Sequence, residues 1–152
     1  MTAPSHGQNS ADESFEKGIA LLKENNLLGA LSCMEKAYSI RKRPETGSYL
    51  GLCIAYERGQ FAEAIALCQN AIAEQPKNPV HYLNLARVYL KAKRKSDALD
   101  TLRKGLSSGN DKEILDLLEN LGVRKKPLIP FLPRSNFVNK YTGLLLDRLK
   151  LR

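Results

Sequence analysis

The chain has 152 residues, 43% of them hydrophobic and 26% charged, so it is long enough for one folded domain and too apolar to be disordered throughout. It contains no run of about 18 apolar residues, and its first ten residues lack the pattern of a secretory signal, so we expect neither a membrane-spanning helix nor a signal peptide. The formal net charge of +8 is concentrated beyond residue 120, where eight Lys and Arg residues stand against one acidic residue, an asymmetry that indicates two parts with different roles.

Small residues recur along most of the chain with a period of 34 residues. Ala30, Ala64 and Ala98 stand in the similar phrases LLGAL, FAEAI and KSDAL. Two further series have the same spacing: Gly18, Leu52 and Ala86, and Ala37, Ala71 and Gly105. Three interleaved series with one period indicate three copies of a single structural unit. The copies span residues 11–44, 45–78 and 79–112.

The first unit follows a polar leader, residues 1–10, which we expect to be disordered. Ser10 and Glu13 have the spacing of a capping box, which predicts that a helix begins there. Asn25 and Asn26 separate this helix from a second one. The first unit is therefore predicted to be a helical hairpin.

The second and third units have the same two-helix pattern. Gly59 separates the helices of the second unit, and Pro76 ends its second helix. Asn78 and Pro79 form an N-cap and first-turn pair for the third unit, whose second helix stops at residues 108–110. Apolar residues recur at spacings of three and four without alternating runs, so no strand is expected.

A short capping helix and a basic extension follow the third unit. Asp111 caps a predicted helix over residues 113–121. Three prolines then favour an extended path around the stretch LIPFL, and a last amphipathic helix follows within residues 123–152. The candidate basic patch of this extension consists of Arg124, Lys125, Lys126, Arg134 and Arg148.

The extension has several interpretations. We predict that its apolar residues fold back onto the third unit and the capping helix, leaving the basic patch in solvent. Alternatively, the extension binds an anionic membrane surface, because basic residues interspersed with leucines suit an interfacial helix. Its charge is also compatible with nucleic-acid binding through the phosphates, or with a dedicated protein partner.

Short side chains explain how the two helices of each unit fit together. Ala64 and Ala98 lie near the start of the second helix, and antiparallel helices approach closely only where side chains are short. A single hairpin buries too little surface, so stacked copies share one core. The sequence thus predicts an all-α solenoid of three helical hairpins with a capping helix and a C-terminal extension.

These units resemble the tetratricopeptide repeat, a 34-residue helix-turn-helix motif. The third unit matches the consensus best, through Tyr82, Leu85, Ala86, Tyr89, Ala98 and Leu102. The resemblance covers residues 11–112. It implies a right-handed solenoid with a concave groove lined by the first helix of each hairpin. It also implies a non-catalytic scaffold or adaptor that holds a segment of a partner protein in that groove.

The resemblance assigns candidate groove residues. The partner-binding candidates are Tyr49, Tyr56, Leu83, Asn84, Arg87 and Lys91, with Phe15, Ile19, Leu22 and Cys53 beside them. Asn84 and Arg87 are expected to be exposed in the groove and to bind a peptide backbone or a carboxylate, and Lys91 is expected to add a charge. The alternative for the apolar candidates is packing between repeats.

Two subtypes of the family can be compared with this sequence. Members that bind chaperone tails use a clamp of Lys, Asn and Arg side chains for two carboxylates. That clamp is absent here, because the matching places hold Phe15, Ile19, Leu50, Val80 and Asn84. Small three-repeat chaperones of bacterial type III secretion have a similar size and repeat number but typically lack a basic, proline-containing extension. A secretion-type chaperone is therefore an alternative rather than the preferred interpretation.

The sequence shows no arrangement of catalytic or metal-binding residues. Cys33, Cys53 and Cys68 are an odd number without a CxxC pair, and the chain has only two histidines, so we expect no metal and no cofactor. Three reduced thiols favour a cytoplasmic protein. His81 falls in the first turn of a predicted helix, where exposure to solvent is expected. Phosphate-binding loops and hydrolase motifs are absent, so the chain is predicted not to be an enzyme.

Overall fold

A computed structural model of the chain describes residues 6–109 and 111–122, and within these residues all regular secondary structure is helical. The helices are α1 (His6–Lys23), α2 (Leu27–Ile40), α3 (Pro44–Glu57), α4 (Phe61–Glu74), α5 (Pro79–Lys91), α6 (Lys95–Ser108) and α7 (Lys112–Gly122). The first six pack as three successive hairpins, α1 with α2, α3 with α4 and α5 with α6. The prediction of an all-α fold built from helical hairpins is confirmed.

Each hairpin turns at a residue with a positive φ angle. These residues are Asn25 (59°), Gly59 (66°) and Lys93 (60°), so the turn geometry follows the same 34-residue period as the small residues. Glycine adopts this left-handed conformation without a steric cost, and asparagine tolerates it, whereas the Cβ atom of a lysine is crowded there. The third turn is therefore strained relative to the second.

Short side chains line the contact between the two helices of each hairpin. Ala30, Ala64 and Ala98 are fully buried, as the sequence predicted. At Gly51 of α3, an added Cβ atom would lie 2.7 Å from the carbonyl oxygen of Ala64 on α4. Because that oxygen belongs to the backbone, a side chain at position 51 would require the two helices to separate.

Neighbouring hairpins stack into one continuous core. α3 packs against α2 of the first hairpin and against α5 of the third, and α4 also packs against α5. Met34, Leu102 and Ile114 are among the largest fully buried side chains of this core. Ile114 belongs to α7 and lies directly over Gly105 of α6. α7 thus covers apolar surface at the end of the third hairpin, as a solenoid end requires.

Asparagine and aspartate side chains cap three of the helices. Asn26 Oδ1 accepts a hydrogen bond from the backbone N–H of Gly29 at 3.0 Å, at the start of α2. Asn78 caps α5 by accepting from the N–H of Val80 at 3.2 Å. Asp111 caps α7 by accepting from the N–H of Ile114 at 3.1 Å. The last two caps are those that the sequence predicts.

The start of the first hairpin differs from the prediction. α1 begins at His6, so residues 6–10 of the segment predicted to be disordered are helical. The prediction of a capping box at Ser10 and Glu13 is wrong, because Ser10 lies inside the helix. Its carbonyl oxygen accepts a hydrogen bond from Ser14 Oγ at 2.8 Å. Ala11 is 1% exposed, and its burial stabilises this early part of α1.

The basic extension, its predicted last helix and its predicted docking on the solenoid lie outside the described residues. The same holds for the candidate basic patch of Arg124, Lys125, Lys126, Arg134 and Arg148. Among the helices that the structure does describe, none combines the length and the apolar character that crossing a membrane requires.

Candidate functional site

The first helices of the three hairpins, α1, α3 and α5, line a groove with a volume of about 400 Å³. The start of α2 and the turn into α7 complete its walls. Eight of the twelve lining residues are apolar or aromatic, and the other four are charged. The lining residues are Ile19, Leu22, Lys23, Leu27, Tyr49, Leu52, Tyr56, Val80, Leu83, Arg87, Asp111 and Glu113.

The apolar lining has a buried part and a part that faces the groove. Leu52 of α3 and Leu83 of α5 are almost fully buried and belong to the hydrophobic core. Leu27, at the start of α2, and Val80, at the start of α5, are half-buried and lie outside that core. These two side chains therefore leave part of their apolar surface uncovered by the hydrophobic core.

Arg87 and Glu113 form an ion pair across one end of the groove. Nη2 of Arg87, on α5, lies 2.8 Å from Oε2 of Glu113, in the first turn of α7. The side chain of Arg87 is 36% exposed and that of Glu113 is 67% exposed. The pair is accessible to solvent, so its contribution to stability is small.

Tyr49 lies beside this charged end. Its ring makes an edge-to-face contact with Phe15 of α1, with ring centroids 5.8 Å apart. Burial raises the pKa of the Tyr49 hydroxyl; Arg87 lowers it, while Glu113 and Asp111 raise it. The phenol is therefore uncharged at neutral pH and keeps its O–H donor.

Lys91 contacts the groove indirectly. Its Nζ lies 4.9 Å from the centroid of the Tyr56 ring, a cation–π geometry. Tyr56 lines the groove and Lys91 does not. The charge that the sequence assigned to the groove therefore lies against the Tyr56 ring and outside the groove lining.

The comparison with known families identifies the fold. The family model described as tetratricopeptide repeat (TPR) matches residues 55–121. The described residues have a TPR-like fold. Among curated proteins, none matches the sequence at a significant level.

Solved TPR structures share this fold at low sequence identity. The TPR domain of Arabidopsis OM64 is 18% identical, with 78% of this chain and 99% of that chain covered and a TM-score of 0.62. The first TPR of Spaghetti (RPAP3), bound to the HSP90 peptide SRMEEVD, is 18% identical over 75% and 94% of the chains, with a TM-score of 0.61. The Sgt2 TPR domain from Aspergillus fumigatus is 16% identical over 91% and 99%, with a TM-score of 0.63.

The structure brings together most of the candidate groove residues of this TPR-like fold. Tyr49, Tyr56, Leu83 and Arg87 all line the groove. Some lining residues in or after turns were not predicted, because their direction depends on how the turn places the next helix. Leu27, Asp111 and Glu113 are of this kind.

Asn84 was predicted to be exposed in the groove, and this prediction is wrong. Its side chain is fully buried, and Nδ2 donates a hydrogen bond to Ser48 Oγ of α3 at 3.2 Å. The reason is helical geometry: the groove face of α5 passes through positions 80, 83 and 87, whereas position 84 shares a neighbouring face with 81 and 88. That neighbouring face packs within the domain.

His81 was predicted to be exposed to solvent and is instead fully buried. Its Nδ1 lies 3.0 Å from Ser48 Oγ, and its Nε2 lies 3.0 Å from Gln75 Oε1. Burial lowers the pKa of His81, while the nearby carboxylates of Glu45 and Glu74 raise it, with a net lowering. His81 therefore belongs to a polar network that joins the second and third hairpins, away from the groove lining.

The cysteines lie outside the groove. Burial raises the pKa of both Cys53 and Cys68 to about 12, so their thiols are protonated and unreactive at neutral pH. Within residues 9–109 and 111–121, no group of three or more His, Cys, Asp or Glu side chains is arranged to hold a metal ion.

Proposed function

We propose that this TPR domain is a non-catalytic adaptor that binds an apolar segment of a partner protein in the groove lined by α1, α3 and α5. The observation that carries the proposal is the composition of the groove, in which eight of twelve lining residues are apolar or aromatic. Concave, mostly apolar sites with a few polar groups are typical of binding sites. Removal of the partner's apolar side chains from water supplies the driving force.

The relatives support a peptide as the ligand and suggest how this chain differs from them. The first TPR of Spaghetti (RPAP3) holds the peptide SRMEEVD, so the fold is compatible with peptide binding. In this chain the places of the two-carboxylate clamp are held by apolar residues and by the buried Asn84. We therefore propose that apolar side chains of the partner contribute most of the affinity.

Leu27 and Leu28 offer a matched pair of variants. Leu27 lines the groove, whereas Leu28, the next residue, is 69% exposed and does not line it. Both positions are in the first turn of α2, where an acidic residue suits the helix dipole. Leu27→Asp and Leu28→Asp should therefore both fold, and only the first places a charge in the groove.

The test is to pan a random peptide library, displayed on phage, on the immobilised full-length protein. Wild type and Leu28→Asp should enrich a shared set of apolar peptides, and Leu27→Asp should recover these peptides at least tenfold less well. Circular dichroism checks that both variants are folded. Equal enrichment by all three proteins, or none by wild type, would contradict binding in the groove.

The charge of the C-terminal extension supports a second candidate function, binding to an anionic surface. Beyond residue 120, eight basic residues stand against one acidic residue. In the full-length chain, joint replacement of Arg124, Lys125 and Lys126 by glutamate should lower the salt concentration that elutes the protein from heparin. It should also reduce sedimentation with vesicles that contain phosphatidylserine. Unchanged elution and sedimentation would argue against this function.

A further inference from the structure

Arg87 is the cation that α5 contributes to the groove lining, and it forms an ion pair with Glu113 of α7. Among the described residues, the hydrogen bond from Nη2 to Glu113 Oε2, 2.8 Å long, is the one that its guanidinium makes. A guanidinium has five N–H donors in a planar fork that matches a carboxylate. Most donors of Arg87 are thus available to a ligand in the groove.

We propose that Arg87 anchors a carboxylate side chain of the partner segment, and that Glu113 occupies this place until the partner displaces it. The inference rests on the proposed function, because it assigns the chemistry of the partner at the same groove. The partner is then a segment in which an aspartate or glutamate lies close to apolar side chains.

Glu113 can leave Arg87 without undocking α7. Ile114, the next residue, is fully buried against Gly105, and Asp111 caps the helix through the N–H of Ile114. The Glu113 side chain is 67% exposed and that of Arg87 is 36% exposed. When the pair opens, the more exposed carboxylate moves into solvent and the guanidinium stays in the groove.

α5 sets the distance between the carboxylate and the apolar contacts of the partner. Val80, Leu83 and Arg87 recur at spacings of three and four residues, so they lie along one face of α5. At 1.5 Å per residue, positions 80 and 87 are about 10 Å apart along the helix axis. An extended segment covers this distance in about three residues. The acidic residue of the partner should therefore lie about three positions from an apolar residue.

Tyr49 adds a second hydrogen-bond donor near Arg87. Its phenol stays protonated because burial raises its pKa, and Arg87, Glu113 and Asp111 are all close enough to influence it. Asp111 opposes an anion in this region, but its Oδ1 accepts the hydrogen bond from Ile114, which offsets part of its charge. Once Glu113 has moved away, the donors of Arg87 and Tyr49 together favour a carboxylate over a cation.

The test uses the full-length protein and the peptide that wild type enriches most strongly from the phage library. The peptide is synthesised as selected, and also in an amide form in which Asn and Gln replace its Asp and Glu residues. Fluorescence anisotropy should show that wild type binds the acidic form at least tenfold more tightly than the amide form. In Arg87→Gln the two forms should bind equally.

Glu113→Gln should strengthen binding of the acidic form. If Glu113 covers Arg87 about nine-tenths of the time, removal of this competition tightens the apparent affinity about tenfold. Asp100 and Arg103 of α6 provide the control, since they form a solvent-exposed pair, 2.9 Å long, outside the groove lining. Asp100→Asn and Arg103→Gln should leave both affinities unchanged.

The possible outcomes separate this inference from the proposed function. Equal binding of the two peptide forms by wild type, or an enriched set without acidic residues, overturns the carboxylate anchor. The proposed function still holds in that case if Leu27→Asp abolishes binding of the enriched peptides. Weaker binding by Glu113→Gln together with a lower melting temperature overturns the competitor role, because Glu113 then acts as a tether of α7. No enrichment by wild type overturns both proposals.

Discussion

Replacement of Gly51 by alanine tests whether the packing of α3 on α4 explains the small residues of the repeat. An alanine Cβ at this position would lie 2.7 Å from the carbonyl oxygen of Ala64, 3.0 Å from Cys68 Sγ and 3.3 Å from Leu67 Cβ. The first of these contacts involves the backbone of α4, so it cannot be relieved by rotating a side chain. The two helices must move apart, which disturbs the buried side chains between them.

Two opposing effects determine the size of the change. Alanine stabilises a helix interior by about 0.5–1 kcal/mol relative to glycine, whereas overpacking of a well-packed core costs about 1–3 kcal/mol. Because the clash is with the backbone, we expect the second effect to dominate and the free energy of unfolding to fall by about 1–2 kcal/mol. For a chain of this size the melting temperature should then fall by roughly 3 to 8 °C.

Thermal unfolding followed by circular dichroism measures this change, with Gly109→Ala as the control. At Gly109 the backbone is extended (φ 172°), and the nearest atom to an added Cβ is Pro79 Cγ at 3.9 Å, which is ordinary contact. The control should shift the melting temperature little. A Gly51→Ala protein as stable as wild type would contradict the proposed close packing, because α3 and α4 would then have room for a larger side chain.

Two further predictions concern the third turn and the buried histidine. Lys93→Gly should raise the free energy of unfolding in urea by about 0.5–1 kcal/mol, because glycine removes the steric strain of the left-handed conformation; a lower urea midpoint would contradict that strain. Burial lowers the pKa of His81 below its ordinary value of 6.5, so as the pH falls through about 6.5 the unfolded chain takes up a proton that the folded chain does not. The urea midpoint of wild type should therefore fall between about pH 7 and pH 5.5, and His81→Gln should show a smaller slope; equal slopes would assign the effect to other groups.

The groove could be predicted in outline and not in detail. The sequence placed Tyr49, Tyr56, Leu83 and Arg87 on the first helices of their hairpins, and the structure brings all four to one groove. Leu27 went unrecognised because the turn that precedes it decides whether its side chain points into the groove or, like that of Leu28, into solvent. One residue of difference in register exchanges these two environments.

The number of hairpins and the turns of the first two hairpins could be predicted from the amino-acid sequence. Small residues recur every 34 positions where paired helices cross, and Asn25 and Gly59 are residue types that favour a turn. The caps provided by Asn78 and Asp111 are equally local, because each bonds to a backbone N–H within three residues. Features of this kind depend on neighbours in the chain, so a single sequence contains them.

The burial of polar side chains on α5 depends on contacts with residues that are distant in the chain. His81 and Asn84 both meet Ser48, which lies 33 and 36 residues earlier in the chain, and Arg87 meets Glu113, 26 residues later. Partners for its hydrogen bonds stabilise a polar side chain in the interior, although Oδ1 of Asn84 has no such partner among the described residues. For α5 those partners lie on other helices, and the stacking of the hairpins brings them within reach. The sequence of α5 alone does not show these partners. For this reason His81 was predicted to be exposed to solvent and Asn84 to be exposed in the groove.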